Sequence, residues 1–181
     1  PHLAQYERLR AALAQYRQLV GHPAWRSPLP PLPPGPRGSP PKLEAEQPYA
    51  GAPLLRERLV ALGDLPASSA PSAFYDDTLA GGVRAFQQRH GLTMDGVIGK
   101  ATLAQLEVRP AARVRQIELM LERLRWTPLM LGPRMVAINI PEFVLRAYEV
   151  DGERIVVRET MKVIVGKAMN TRTPLFVEQM R

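Results

Sequence analysis

The sequence predicts an α+β chain in which a helical part is followed by antiparallel strands. Up to residue 126, apolar side chains recur every three or four positions, as they do on one face of a helix. From residue 134 onwards they alternate with polar side chains, which is typical of half-buried strands. A proline-rich segment, residues 28–41, interrupts the helical part, and eight of its fourteen residues are proline.

The composition favours some classes of binding partner and argues against several kinds of site. The 181 residues carry a formal net charge of +7, which favours an anionic partner. They contain no nucleic-acid-binding motif, so we expect no nucleic acid partner. Because there is no Cys, and because His2, His22 and His90 lack the spacing of metal ligands, we expect neither a metal nor another cofactor. No apolar run reaches the roughly 20 residues of a membrane span.

The first predicted element is an amphipathic scaffold helix over residues 2–20, within a unit of residues 1–27. Gly21 and Pro23 end this helix. Residues 28–52 then form a proline-rich linker, of which residues 28–41 are extended and polyproline-like, run over the surface and have no core of their own. The PxxP spacing in this linker leaves an SH3-type ligand as an alternative.

Residues 53–108 are predicted to form a compact unit of three helices. Pro53 lies at the start of the first helix, and Gly63 ends it. A loop rich in Ala, Ser and Pro follows at residues 66–73.

The second helix of this unit lies within “FYDDTLAGGVRAFQQRHGL”, residues 74–92. Asp76 or Asp77 is its expected N-cap, and Gly91 ends it in a left-handed conformation. One apolar face is expected to enter the core; it consists of Leu79, Val83 and Phe86.

A sharp turn connects the second helix to the third. Asp95 and Gly96 form this turn, because Gly96 accepts a positive φ and the Asp95 carboxylate can accept backbone N–H groups. Gly99 then leads into the third helix, residues 100–106.

A linker or scaffold helix is predicted within residues 109–133, and strands begin with the unit at residues 134–181. Asp151 and Gly152 are a hairpin signal between the second and third strands. The predicted strands are residues 135–140, 143–150, 154–166 and 174–180.

Two stretches carry a resemblance to a known module: “AFQQRHGL”, residues 85–92, and “DGVIGKAT”, residues 95–102. With the leucines of the first helix, they make residues 53–108 similar to the peptidoglycan-binding domain that accompanies many cell-wall enzymes. The resemblance implies peptidoglycan, through its stem peptides or glycan strands, as the partner.

A wider resemblance covers nearly the whole chain, and the chain resembles the long periplasmic L,D-transpeptidases with a YkuD-type catalytic domain. The stretches that carry it are “YERLRAALAQYRQL” (6–19), “RERLVALGDLP” (56–66), “AFQQRHGLTMDGVIGKATLAQLEV” (85–108), “IELMLERLRW” (117–126), “AINIPEFVLRAY” (137–148) and “MKVIVGKAMNTRTPLF” (161–176).

The second resemblance implies a cell-wall function in a Gram-negative periplasm. These enzymes cross-link stem peptides between two meso-diaminopimelate residues, using a catalytic Cys that forms an acyl-enzyme and a His base. By this resemblance, residues 1–181 are the N-terminal portion of such an enzyme, and residues 134–181 begin an incomplete catalytic domain. Because the chain has no Cys, it contains no catalytic residue of this type, and we expect it to be inactive alone.

Candidate contacts with peptidoglycan are the polar side chains near the helix ends: Asp76, Asp77, Gln87, Arg89 and Asp95. Arg89 would pair with a stem-peptide carboxylate in bidentate geometry. The local alternative, which we favour residue by residue, is that Asp77 caps a helix, Asp95 shapes a turn and Arg89 is a solvated charge.

Two other functional classes stay open. The chain is alternatively a non-catalytic peptidoglycan-binding or scaffold protein, whose unpaired strands associate with a partner or a second copy. The third class is an enzyme such as a muramidase or amidase that carries the same binding module.

Overall fold

The computed structural model describes residues 2–35, 38–67, 72–126, 132–152, 154–166 and 173–174. The predicted α+β division is confirmed. The α-helices are α1 (Ala4–Gln18), α2 (Ala52–Leu62), α3 (Asp77–Arg89), α4 (Lys100–Leu106) and α5 (Pro110–Trp126). The strands are β1 (His2–Leu3), β2 (Gln47–Pro48), β3 (Phe74–Tyr75), β4 (Arg134–Asn139), β5 (Val144–Asp151) and β6 (Arg154–Lys162).

The chain divides into two compact units. The first contains Pro1–Arg10 and Met120–Arg181, and the second contains Ala11–Leu119. In the described parts of the chain, we find no helix with the length and apolar character needed to cross a membrane.

The second unit is built around α2, α3 and α4, and its core is apolar. The face predicted for the second helix of this unit is fully buried: Leu79 and Val83 are 0% exposed, and Phe86 is 1% exposed. From the other two helices, Leu55, Leu59 and Leu106 join this core. Burial of these large side chains is the main favourable contribution to folding of the unit.

Phe74 and Tyr75 precede the expected N-cap of the second helix of this unit. They form β3, which pairs antiparallel with β2. Asp76 is the N-cap of α3, and its Oδ1 accepts the Leu79 N–H at 2.8 Å, so the helix begins after it. Tyr75 is fully buried and donates a hydrogen bond from its hydroxyl to the Gly96 carbonyl.

The proline-rich segment contributes to the core of the second unit. Leu29 is 7% exposed, so the expectation that residues 28–41 run over the surface is wrong at this position, and Leu43, later in the linker, is 0% exposed. Leu43 also exchanges two backbone hydrogen bonds with Ile98, each 3.0 Å long, in an isolated antiparallel bridge. Leucine side chains between the prolines therefore hold this extended segment on the core.

Arg58, on α2, is the largest fully buried side chain of the described residues and is 1% exposed. Its Nε donates to the Ala24 carbonyl at 2.8 Å, and its Nη2 donates to the Ser27 carbonyl at 2.7 Å. Its Nη1 donates to the Leu106 carbonyl at 3.0 Å and to Glu107 Oε1 at 2.8 Å. One guanidinium thus connects three segments of this unit: residues 24–27, α2 and the end of α4.

The first unit contains a four-stranded sheet in the order β1-β6-β5-β4. The predicted hairpin at Asp151 and Gly152 is confirmed, because Asp151 pairs with Arg154 and Gly152 has a φ of +61°. The predicted N-terminal helix starts later than expected, at Ala4, since β1 pairs in parallel with β6. Of the strand predicted at residues 174–180, residues 175–180 lie outside the described residues.

We predict that Arg58→Met lowers the free energy of unfolding by roughly 3 kcal/mol, because it leaves three backbone carbonyls and a carboxylate without their buried donor. Arg58→Lys is expected to rescue little of this loss, since an ammonium cannot reproduce the planar fork of donors. Urea denaturation followed by circular dichroism measures both variants. Arg115→Met, at an exposed position of α5, is the matched control; an equal loss in the control would contradict the prediction.

Candidate functional site

A surface groove lies beside the predicted Asp95–Gly96 turn and the start of α4. Its volume is about 300 Å³. It lies within the second unit, on residues that the sequence analysis singled out and on their neighbours. The lining residues are Gln87, Leu92, Thr93, Asp95, Val97, Gly99, Lys100, Ala101 and Thr102.

The floor of the groove is held by the buried amide of Gln87, which is 1% exposed. Its Nε2 donates to Asp95 Oδ1 at 2.9 Å, to the Val97 carbonyl at 3.0 Å and to Thr102 Oγ1 at 3.3 Å. Its Oε1 accepts the Gly96 N–H at 2.9 Å. Because both ends of this amide are engaged inside the protein, Gln87 shapes the groove and has no free polar atom for a ligand.

The turn itself depends on a left-handed glycine. Gly96 has a φ of +75°, and a Cβ at this position would lie 3.0 Å from Arg84 Nε. The Gly96 carbonyl accepts the hydroxyl of Tyr75 at 2.5 Å. Burial of this phenol, together with the nearby Asp95 charge, raises the pKa of Tyr75 above its usual range. Gly91 also has a positive φ, of +66°, whereas Gly99 is extended and is the N-cap of α4.

Two opposite charges line the groove. Asp95 is exposed, and its Oδ1 is held by Gln87 and by the Val97 N–H at 2.8 Å. Lys100 is the first residue of α4 and is also exposed. Within the described part of the chain, Lys100 makes no ion pair with Asp95 or with any other carboxylate.

The other acidic candidates, Asp76 and Asp77, do not line this groove. Asp76 caps α3, and its Oδ2 accepts a hydrogen bond from Arg56 Nη2 at 2.9 Å. The Arg56 side chain is only 8% exposed, so this ion pair is partly buried. Asp77 is exposed in the first turn of α3, where a negative charge interacts favourably with the helix dipole.

Arg89 forms an ion pair within the protein, so the local alternative of a simply solvated charge is corrected. Its Nε and Nη2 form a bidentate pair with the Asp64 carboxylate, with distances of 3.1 and 2.5 Å. Its Nη1 donates to Tyr16 Oη at 3.1 Å. The Asp64 side chain is 7% exposed, so Arg89 compensates a buried carboxylate.

His90 is the C-cap of α3 and is also a structural residue. Its ring stacks on Phe86 with centroids 3.9 Å apart, and Nδ1 lies 2.9 Å from the Phe86 carbonyl. Since that carbonyl can only accept, Nδ1 carries the proton in this contact. Burial lowers the pKa of His90, and the Arg89 and Arg113 charges act in the same direction. The ring is therefore neutral at neutral pH.

Sequence reasoning missed Lys100 and Thr93 as groove residues. The signal that would have found Lys100 was its position directly after Gly99, as the first residue of the helix that follows the Asp95–Gly96 turn. No cluster of three or more His, Cys, Asp or Glu side chains suited to a metal occurs among the described residues.

Residues 51–106 match the family described as “Putative peptidoglycan binding domain”. The chain contains a peptidoglycan-binding domain. The resemblance noted for residues 53–108 is thereby confirmed, and the groove lies entirely within the matched range. This domain supports peptidoglycan as the partner and a role directed to the cell wall.

The other comparisons add a distant structural likeness. No curated protein matches the chain. A similar solved structure is titled “Crystal structure of Fused Zn-dependent amidase/peptidase/peptodoglycan-binding domain-containing protein from Clostridium acetobutylicum ATCC 824”. The identity is 15% and the TM-score is 0.33, over 72% of this chain and 65% of that chain. The chain thus spans less than two thirds of that protein's length.

We predict that Gln87→Leu destabilises the peptidoglycan-binding domain by roughly 2–4 kcal/mol, because it leaves the Gly96 N–H and the Val97 carbonyl without a partner. The side chains have similar size, so the loss reports on the hydrogen bonds rather than on a cavity. Thermal or urea unfolding measures it. Gln88→Leu, on the exposed neighbour, is the control and should change stability by less than about 0.5 kcal/mol. Equal stability of Gln87→Leu and wild type would refute the assigned role.

Proposed function

We propose that the peptidoglycan-binding domain binds peptidoglycan through the groove beside the Asp95–Gly96 turn. The observation that carries this proposal is a rigidly held turn whose outer side presents an unpaired cation, Lys100, in a groove of the matched domain. Stem peptides carry carboxylates, and a Lys ammonium attracts such groups as a point charge. The turn is fixed before binding by the Gln87 amide, which reduces the entropy that a ligand would have to offset.

The surface near the turn is suited to an anionic polymer. Arg84 is exposed and lies over Gly96, and it forms no ion pair among the described residues. The net charge of +7 adds a long-range attraction that is screened by salt. We therefore expect binding that weakens with ionic strength but that still depends on the shape of the groove.

We predict that Ala101→Trp abolishes co-sedimentation of the chain with purified peptidoglycan sacculi. Ala101 is an exposed lining residue of the groove, so an indole at this position fills the space that the polymer would occupy. Ala104→Trp is the matched control, because Ala104 is exposed on the same helix but does not line the groove. The assay measures the pelleted fraction at moderate salt.

Two outcomes would contradict this proposal. If wild type fails to pellet with sacculi, the domain does not bind peptidoglycan. If Ala101→Trp and Ala104→Trp pellet equally well, the polymer is bound at another surface of the chain.

We further propose that the chain is a portion of a periplasmic L,D-transpeptidase. Support comes from the order of the similar stretches, which continues through residues 117–126 and 137–148 into 161–176. The antiparallel strands β4 and β5 contain most of the stretch 137–148, and β6 ends at the start of the stretch 161–176. In this proposal the binding domain brings the enzyme to its polymeric substrate and raises the local concentration of stem peptides.

Reading the coding sequence downstream of residue 181 tests the transpeptidase proposal. We expect an open frame with a His-Gly-Cys-type motif, and a full product that forms cross-links between diaminopimelate residues when incubated with muropeptides. A stop codon directly after residue 181 would overturn it and leave a peptidoglycan-binding protein without this chemistry.

A further inference from the structure

The lining of the groove includes one acidic and one basic side chain, Asp95 and Lys100, which form no ion pair with each other among the described residues. Asp95 and Lys100 are both exposed and both line it. Here the Asp95 carboxylate is directed by its own hydrogen bonds, and no ion pair joins it to Lys100 in the described residues.

The two oxygens of Asp95 have different roles. Oδ1 accepts hydrogen bonds from Gln87 Nε2 at 2.9 Å and from the Val97 N–H at 2.8 Å. These contacts anchor the carboxylate and orient it. Among the described residues, Oδ2 accepts none, so it is a fixed acceptor available for a ligand donor. A fixed carboxylate acceptor is suited to an ammonium group.

This combination is poorly suited to a ligand that carries carboxylates alone. Such a ligand would pair with Lys100 but would be repelled by Asp95. A ligand that carries only an amine would pair with Asp95 but would be repelled by Lys100. A ligand with an ammonium and a carboxylate on neighbouring atoms satisfies both side chains at once. Asp95 therefore acts as a selector and not only as a turn residue.

We propose that the groove binds the zwitterionic free end of a diamino-diacid residue in the stem peptide. This inference rests on the proposed function, because it names the part of peptidoglycan that enters the same groove. Stem peptides offer many carboxylates, but an ammonium and a carboxylate share one carbon only at the uncross-linked end of a diaminopimelate-type residue. Asp95 Oδ2 accepts from the ammonium, and Lys100 Nζ donates to the carboxylate.

The direct test compares three soluble tripeptides as ligands of the wild-type chain, using isothermal titration calorimetry. The first is L-Ala-γ-D-Glu-meso-diaminopimelate. The second has L-Lys at the third position, which removes the terminal carboxylate, and the third has that carboxylate amidated. We expect each modified peptide to bind at least about tenfold more weakly, since each loses a charge-assisted contact with Lys100.

Two variants test the protein side. Asp95→Asn retains an oxygen that accepts from Gln87 and Val97 while removing the charge at the free position. Lys100→Gln removes the cation from a side chain that makes no contact with another charge in the described residues. Each variant should bind the diaminopimelate peptide about tenfold more weakly than wild type does. The affinity of the variant for this peptide should then be close to the affinity of wild type for the modified peptides. Glu57→Gln and Arg115→Gln, at exposed positions that do not line the groove, give the same charge changes and should leave affinity unchanged.

The outcomes separate this inference from the proposed function. Equal affinity of wild type for all three peptides, with retained sedimentation on sacculi, would overturn the zwitterion proposal and leave peptidoglycan binding intact. Absence of sedimentation on sacculi would overturn both. An equal loss in the control variants would show that net charge alone governs binding and would also overturn the zwitterion proposal.

Discussion

The second unit depends on the burial of one cation, the Arg58 guanidinium. Moving a charge out of water is costly, and the cost is offset only when the charge finds a complete set of partners. Arg58 has such a set in three backbone carbonyls and the Glu107 carboxylate. These acceptors come from residues 24–27 and from the C-terminal end of α4. The same contacts that make the buried charge tolerable therefore fix where residues 24–27 and the end of α4 lie.

The Gln87 amide plays a comparable role on a smaller scale, with a neutral group in place of a charge. An amide is both donor and acceptor, so it can satisfy a backbone N–H and a backbone carbonyl of the same turn. Gln87 does this for Gly96 and Val97 and also contacts Asp95 and Thr102. A turn held from below in this way needs little support from its outer side. The groove lies on that outer side. The hydrogen bonds that stabilise the turn therefore do not block access to the groove.

Local signals predicted much of the second unit. Gly63, Gly91 and Gly96 all have positive φ values, and Asp76 is the N-cap of α3, because such positions depend on nearby backbone geometry. Partners distant in sequence were not predictable in this way. Arg89 looks like a surface charge in its helix, but its partner Asp64 is 25 residues away. Leu29 and Leu43 look like linker residues, and only the tertiary packing shows that they are buried.

At the candidate site, too, the sequence identified residues but not the contacts between them. Gln87 and Asp95 were identified as polar residues near helix ends, but the pattern does not reveal that one is buried beneath the other. One Asp95 oxygen stabilises the turn, and the other accepts no hydrogen bond among the described residues. Lys100 has no such structural duty among the described residues, because it forms no ion pair there. Lys100 therefore does not stabilise the fold through an ion pair, and Asp95 uses only one of its two oxygens to stabilise the turn. We expect such an arrangement where ligand binding, rather than folding, determines the residue type.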